Sequence, residues 1–131
     1  MLFRSAAFEP QWGAKAAALA GGGIDHVVEV GGLGTLAQSM QAVGFGGEIA
    51  LIGVLSMQGD TNPMALMVKG ASLRGIFVGS AAMARELNDF VDRHQLKPVI
   101  DRVFDITEAR AAYAYQASAE LFGKVVIANP G

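Results

Sequence analysis

IDHVVEVGGLGTLAQSMQAVGFGGEIALIGVL, residues 24–55, reads as strand, glycine-rich turn, helix, glycine-rich turn and strand. Ile24, Val27, Val28 and Val30 make a short β-branched run broken by one acid, Glu29. A run that is apolar on both faces is what a buried parallel strand looks like. Gly31, Gly32 and Gly34 open a turn. Leu36, Met40 and Val43 then recur at helical spacing, with Ala37 beside them and Gln38, Ser39 and Gln41 on the other side. Gly44, Gly46 and Gly47 read as the helix stop, and Ile49–Leu55 as the second strand. Two parallel strands joined by a helix make a right-handed βαβ crossover, and ligands of such sheets sit at the carboxyl ends of the strands. Here those ends are Val30–Gly32 and Ile52–Ser56.

Gly32-Leu33-Gly34-Thr35-Leu36-Ala37 fits the loose dinucleotide fingerprint, G-x-G-x-x-G/A, which would seat a pyrophosphate on the helix N-terminus. A full fingerprint wants an acid at the end of the next strand to hold the adenosine ribose. Ile52-Gly53-Val54-Leu55-Ser56 carries none. The glycines then serve a tight turn and close packing, and the better reading is the second half of a two-part dinucleotide fold, where the nicotinamide end lies. With no side chains at Gly31, Gly32 and Gly53, a flat ring and its ribose could approach the backbone.

Composition bounds the rest. The chain has 131 residues, of which 52% are hydrophobic and 17 are glycine. That suits a compact α/β domain with tight turns. The net charge is −2 and there is no basic run, so nothing points to nucleic acid. There is no cysteine, hence no disulfide framework, thiol nucleophile or thiolate metal site. No apolar stretch approaches a membrane span and no signal peptide is visible, which makes a soluble cytoplasmic protein the default expectation.

Along the chain, Met1–Ser5 read as a cloning or sequencing scar, because Leu2-Phe3-Arg4-Ser5 is the translation of a common sequencing-adapter end. Gln11–Ala20 is a helix with Trp12, Ala16 and Leu19 on one face. After Ser56, a loop leads to a helical turn at Met64–Val68. Ser72–Val78 is a third strand, and Arg74 and Gly75 within it suit a sheet edge. Ser80 is placed to cap a helix whose apolar face is Met83, Leu87, Phe90 and Val91, with Arg85–Asp89 and Asp89–Arg93 spaced for pairing. His94 belongs at that helix's C-terminus, where a positive charge is favourable, and His26 at a strand edge reads as structural. Val99–Phe104 is a strand, Thr107 is the expected cap of a helix over Glu108–Ala119, and Lys124–Ile127 is the last strand.

In the order and spacing of these pieces the chain resembles the C-terminal half of the medium-chain dehydrogenase/reductase family, the zinc-type alcohol dehydrogenases and quinone reductases. The resemblance rests on Gly23–Gly32, on Gly46-Gly47 before Ile49–Gly53, and on Leu73-Arg74-Gly75 with Phe77–Ser80. It continues through Pro98–Asp101, Ala109–Tyr113 and Phe122–Val126. It implies that residues 6–79 are the second half of an NAD(P)-binding Rossmann domain and that residues 80–131 return to a catalytic domain. It implies a parent enzyme that transfers a hydride between NAD or NADP and an alcohol, aldehyde, ketone or quinone. It further implies that Val30, Gly31 and Gly32 line the cofactor cleft and that Ile52, Gly53 and Val54 lie behind the nicotinamide. Phe77, Val78 and Gly79 would offer backbone groups to the carboxamide, and Lys124 would reach cofactor phosphate. The strand Ser72–Val78 would pair with its mate in a homodimer.

No catalytic residue and no metal ligand of the family falls in this chain. Zinc is possible in the parent, but there is no cysteine, and His26 and His94 are far apart. The chain alone is expected to be inactive, poorly soluble or molten, and to bind NAD(H) weakly, because Ile24–Val30 would lack its neighbouring strand. Two other readings stand beside this one. One is a methyltransferase-like domain binding S-adenosylmethionine through Gly31–Gly34, and the other is a non-enzymatic domain that dimerises through Ser72–Val78.

Overall fold

A computed structural model describes residues 9–118 and 120–129. The expected scar at Met1–Ser5 and the end of the expected last helix at Ala119 lie outside the described residues. The chain is mixed α/β with parallel strands, and it divides between Val78 and Gly79 into two compact units.

The first unit runs α1 (Trp12–Leu19), β1 (Ile24–Glu29), α2 (Leu33–Ala42), β2 (Val43–Leu51), α3 (Met64–Lys69) and β3 (Ser72–Gly75). Its sheet has the order β1-β2-β3, all parallel, with Val27 opposite Ile49 and Ile49 opposite Leu73. The core is where α2 meets β2. Leu36 and Met40 from the helix close on Val43 and Ile49, which are fully buried, and Val27, Ala65, Leu66 and Ala71 pack around them. That is the face the helical spacing marks out. On its other side α2 meets α1 at Gly13, whose N–H donates to Gln38 Oε1 at 2.9 Å.

Two boundaries differ from the sequence reading. Gly44, Gly46 and Gly47 do not form a separate turn after the helix. They lie inside β2, in a bulge opposite Ile24–His26, so the strand starts at Val43 and ends at Leu51. Short-range pattern places glycines in turns; here cross-strand pairing carries the ladder through them. Residues 52–55 are consequently loop, not strand. The third strand is likewise shorter than Ser72–Val78, although Ile76 N–H still donates to Leu51 O at 2.9 Å. It does lie at a sheet edge. The opposite edge is β1, where Val28 is exposed.

Lys69 ties α3 to the rest of this unit. Its ammonium donates to the carbonyls of Met40, Gln41 and Val43 at 2.9, 2.8 and 2.6 Å. These are the carbonyls that the end of α2 leaves unpaired, and a cation satisfies them best.

The second unit runs α4 (Ala81–Arg93), β4 (Ile100–Asp105), a 3-10 turn (Ile106–Glu108), α5 (Ala109–Ala117) and β5 (Lys124–Ala128). Strands β4 and β5 are parallel and α5 connects them. Ser80 caps α4 as expected, accepting from Met83 N–H at 3.2 Å. The expected pairs Arg85–Asp89 and Asp89–Arg93 do not close to ion-pair distance; among the described residues only Lys15–Glu9 and His26–Glu48 do. Thr107 is not the cap of the next helix. Asp105 instead caps the 3-10 turn ahead of that helix: its carboxylate accepts from Thr107 N–H and Oγ1, and Glu108 reaches back to Asp105 N–H. The capping box starts two residues earlier than the Thr107 reading and inserts a 3-10 turn before α5.

Candidate functional site

The carboxyl ends of the three parallel strands open onto a cleft of about 620 Å³. From β1 the chain turns through Gly31–Gly32 into α2. From β2 it runs out through Ile52, Gly53 and Val54 to Ser56, and from β3 through Ile76 and Phe77. Gly32, Leu33, Ile52–Val54, Ser56, Met57, Ile76 and Phe77 line the space, so its wall is almost wholly apolar side chain and backbone. Phe77 is 92% exposed.

The first two loops are sewn to each other. Ser56 N–H donates to Gly31 O at 2.8 Å, and Leu33 N–H donates to Ser56 O at 3.0 Å. One residue, Glu29, then holds both. Its carbonyl accepts from Ile52 and Gly53 N–H at 2.9 and 3.0 Å. Its side chain, 2% exposed, accepts at Oε1 from Gly31 N–H at 2.7 Å, Gly32 N–H at 3.0 Å and Thr35 Oγ1 at 2.6 Å, and at Oε2 from the Ser39 hydroxyl. Burial pushes this carboxyl up. The hydrogen bonds from Ser39, Thr35, Gly32 and Gly31 pull harder, so it stays ionised below the usual carboxylate range.

That clasp explains the fingerprint-like glycines. The N–H groups of Gly31 and Gly32, just ahead of α2, already face the protein's own carboxylate, and that of Leu33 faces Ser56 O. Gly32 has φ +89, and a Cβ there would stand 2.7 Å from Ser56 O. A Cβ on Gly53 would fall on the Val30 carbonyl. The missing side chains admit the chain's own backbone, loop against loop.

Gly32, Ile52, Gly53, Val54 and Phe77 of the expected site line the cleft. Gly31 lies in the turn behind them, bonded to Glu29. Val30 is half-exposed at the end of β1 and is not part of the lining. Val78 ends the first unit with φ 44, the left-handed region, which a β-branched residue adopts only under strain. Among the described residues, the N–H groups of Phe77, Val78 and Gly79 have no hydrogen-bond partner. Gly79 and Lys124 belong to the second unit, where Lys124 N–H donates to Val99 O at 2.8 Å. The sequence reading missed Leu33, Ile76 and Met57 as lining residues. Their signal was adjacency to the glycine turns and strand ends. It missed Ser39 altogether, assigning it to the outer side of α2, whereas the structure buries it against Glu29.

The residues present do not fit a zinc site. Among the described residues no three His, Cys, Asp or Glu come together. His26 is an exposed strand residue 4.0 Å from Glu48, and His94 ends α4 with its ring against Phe90. Among the described residues no helix is long and apolar enough to cross a membrane.

Residues 4–127 match the family model for zinc-binding dehydrogenases. The chain is 37% identical over 124 residues to a zinc-type alcohol dehydrogenase-like protein of Schizosaccharomyces pombe, covering 90% of this chain and 36% of that one. It is 31% identical over 108 residues to the zinc-type alcohol dehydrogenase-like protein YogA of Leptosphaeria maculans, covering 79% and 30%. A crystal structure of an NAD-dependent alcohol dehydrogenase superposes with a TM-score of 0.75 at 27% identity, covering 91% of this chain and 35% of that one. The chain thus spans about a third of the length of these relatives.

Proposed function

This chain belongs to the zinc-binding dehydrogenase family, and from that premise we propose that its first unit is the nicotinamide side of an NAD(P) site in an oxidoreductase acting on an alcohol, aldehyde, ketone or quinone. The supporting observation is the cleft itself. A mostly apolar wall lies at the carboxyl ends of three parallel strands, and Phe77, whose N–H has no hydrogen-bond partner among the described residues, lines it. Such a wall suits one face of a flat ring, and a free backbone donor suits its carboxamide. When bound, the cofactor supplies the hydride. The chain's own part is positioning. Gly32, Ile52, Gly53 and Val54 back the ring and its ribose, Phe77 closes the side, and Val30 and Gly31 shape the turn behind. We assign Lys124 to cofactor phosphate and residues 80–131 to the catalytic domain on the family resemblance alone.

Among the described residues lining this cleft none is placed to polarise a carbonyl as a metal or acid would, so we expect the chain alone to be inactive and to hold the cofactor weakly. Zinc, where the parent uses it, takes its ligands from elsewhere. The family assignment favours this reading over an S-adenosylmethionine site. The exposed edge strand Ser72–Gly75 favours a homodimer whose two sheets join there, extending toward Val78.

Titration of the isotope-labelled full chain with NADH, NADPH and S-adenosylmethionine, read by amide shifts, tests the proposal. The nicotinamide cofactors at millimolar concentration should move Gly31, Gly32, Ile52–Val54 and Phe77–Gly79. Shifts produced only by S-adenosylmethionine, or none in these loops, would overturn it.

A further inference from the structure

We propose that Glu29 is the positioning residue of the cleft: its side chain fastens the Gly31–Gly32 turn, its carbonyl fastens the Ile52–Gly53 segment, and together they set the wall against which the nicotinamide half must lie. The inference rests on the cofactor reading above and names the residue on which that site's geometry depends.

Among the described residues, no other side chain and carbonyl together bond both loops in this way. The backbone bonds from Ile52 and Gly53 end on the Glu29 carbonyl. The N–H groups of Gly31 and Gly32 end on Glu29 Oε1, within a side chain that solvent barely reaches. A carboxylate accepts several donors at once, which a hydroxyl or a single carbonyl lone pair cannot do. Thr35 adds its hydroxyl to the same oxygen, and its side chain fills the place a Cβ on Gly31 would occupy. Ser39 bonds only the far oxygen, Oε2, and touches neither loop through it. The two oxygens therefore separate two jobs: Oε1 shapes the cleft, and Oε2 anchors the side chain to α2.

This separation distinguishes positioning from general structural support. Glu29→Ala removes both jobs. Glu29→Asp keeps the charge but withdraws the carboxylate by one methylene, out of reach of both glycine amides. Glu29→Gln keeps an acceptor oxygen for Gly31, Gly32 and Thr35, and the Ser39 hydroxyl can turn to accept from its amide. Ser39→Ala disturbs only the anchor.

The experiment titrates the full chain and each variant with reduced nicotinamide mononucleotide, which carries the nicotinamide half without the adenosine. Amide exchange is measured on the same samples. Glu29→Ala and Glu29→Asp should weaken binding about tenfold or more, the scale of losing charge-assisted hydrogen bonds. Ser39→Ala should change it less than about threefold, and Glu29→Gln should restore most of the loss. In Glu29→Asp the amides of Gly31 and Gly32 should exchange faster, while those of Ile52 and Gly53, held by the main-chain carbonyl, and those of Val43 and Ile49 keep their protection. If Glu29→Ala does not fold, the Glu29→Asp and Ser39→Ala pair makes the same comparison. Binding that survives in Glu29→Asp overturns the proposal alone, as does an equal loss in Ser39→Ala. Failure of the unaltered chain to bind the mononucleotide overturns the cofactor reading and the proposal with it.

Discussion

In the first unit Val43 and Ile49 are fully buried, and Leu36 and Met40 close over them. In the second unit Ala112 is the one buried residue among those described, and α4 leaves Met83, Leu87 and Phe90 at least half exposed. Both units contain parallel strands and an amphipathic helix. Helices α2 and α4 differ in whether the apolar face has found a sheet. Patterning makes a helix able to pack; only a partner surface makes it packed. The first unit has that surface in β2, whereas α4 of the second leaves most of its apolar face exposed.

The sharpest way to break this comparison is amide exchange along the whole chain. Protection should divide at Val78–Gly79, with β1, α2 and β2 slow and α4 exchanging near the rate of a free peptide. Uniform protection would remove the contrast. Next in size, Ile49→Ala should cost about 2–5 kcal/mol in urea unfolding, because it opens a cavity in a sealed core. Leu87→Ala, on the exposed face of α4, should change stability by less than about 0.5 kcal/mol.

Acid should act on the first unit through Glu29. Its folded-state pKa lies below the ordinary 4.5, so its contribution is complete above that value and fades as pH falls through the folded pKa. Chemical unfolding across pH 3–6, compared with Glu29→Gln, should show this loss in the unaltered chain only. Lys69→Met should cost about 1–3 kcal/mol, since it strips one cation from three carbonyls at the end of α2. Val78→Asn should raise stability by about 1 kcal/mol, because asparagine tolerates the left-handed backbone that valine resists. That gain, read as a higher melting temperature, would locate strain at the margin of the cleft.

Much of the fold was legible because it rests on local pattern. The β-branched run at Ile24–Val30, the spacing of Leu36 and Met40, the Ser80 cap and the edge character of Arg74-Gly75 all depend on neighbours within a few residues. The errors share one cause. Gly44–Gly47 were read by composition, while pairing with β1 decided that they belong to a strand. Thr107 was read by residue type, while Asp105 and Glu108 formed the reciprocal cap. Ser39 was read by polarity, while a buried acid made the helix's inner side the favourable place for a hydroxyl.

By itself, then, the sequence determined the alternation of strands and helices, the glycine turns at the strand ends and the family, since each is written in the order and spacing of residues. The tertiary structure alone decided what those turns are fastened to. The hydroxyls of Thr35 and Ser39 meet Glu29, and Lys69 meets carbonyls more than twenty residues away, only once the sheet has formed. A hydrogen bond between residues distant in sequence leaves no periodic trace, yet here such bonds hold the loops that shape the cleft.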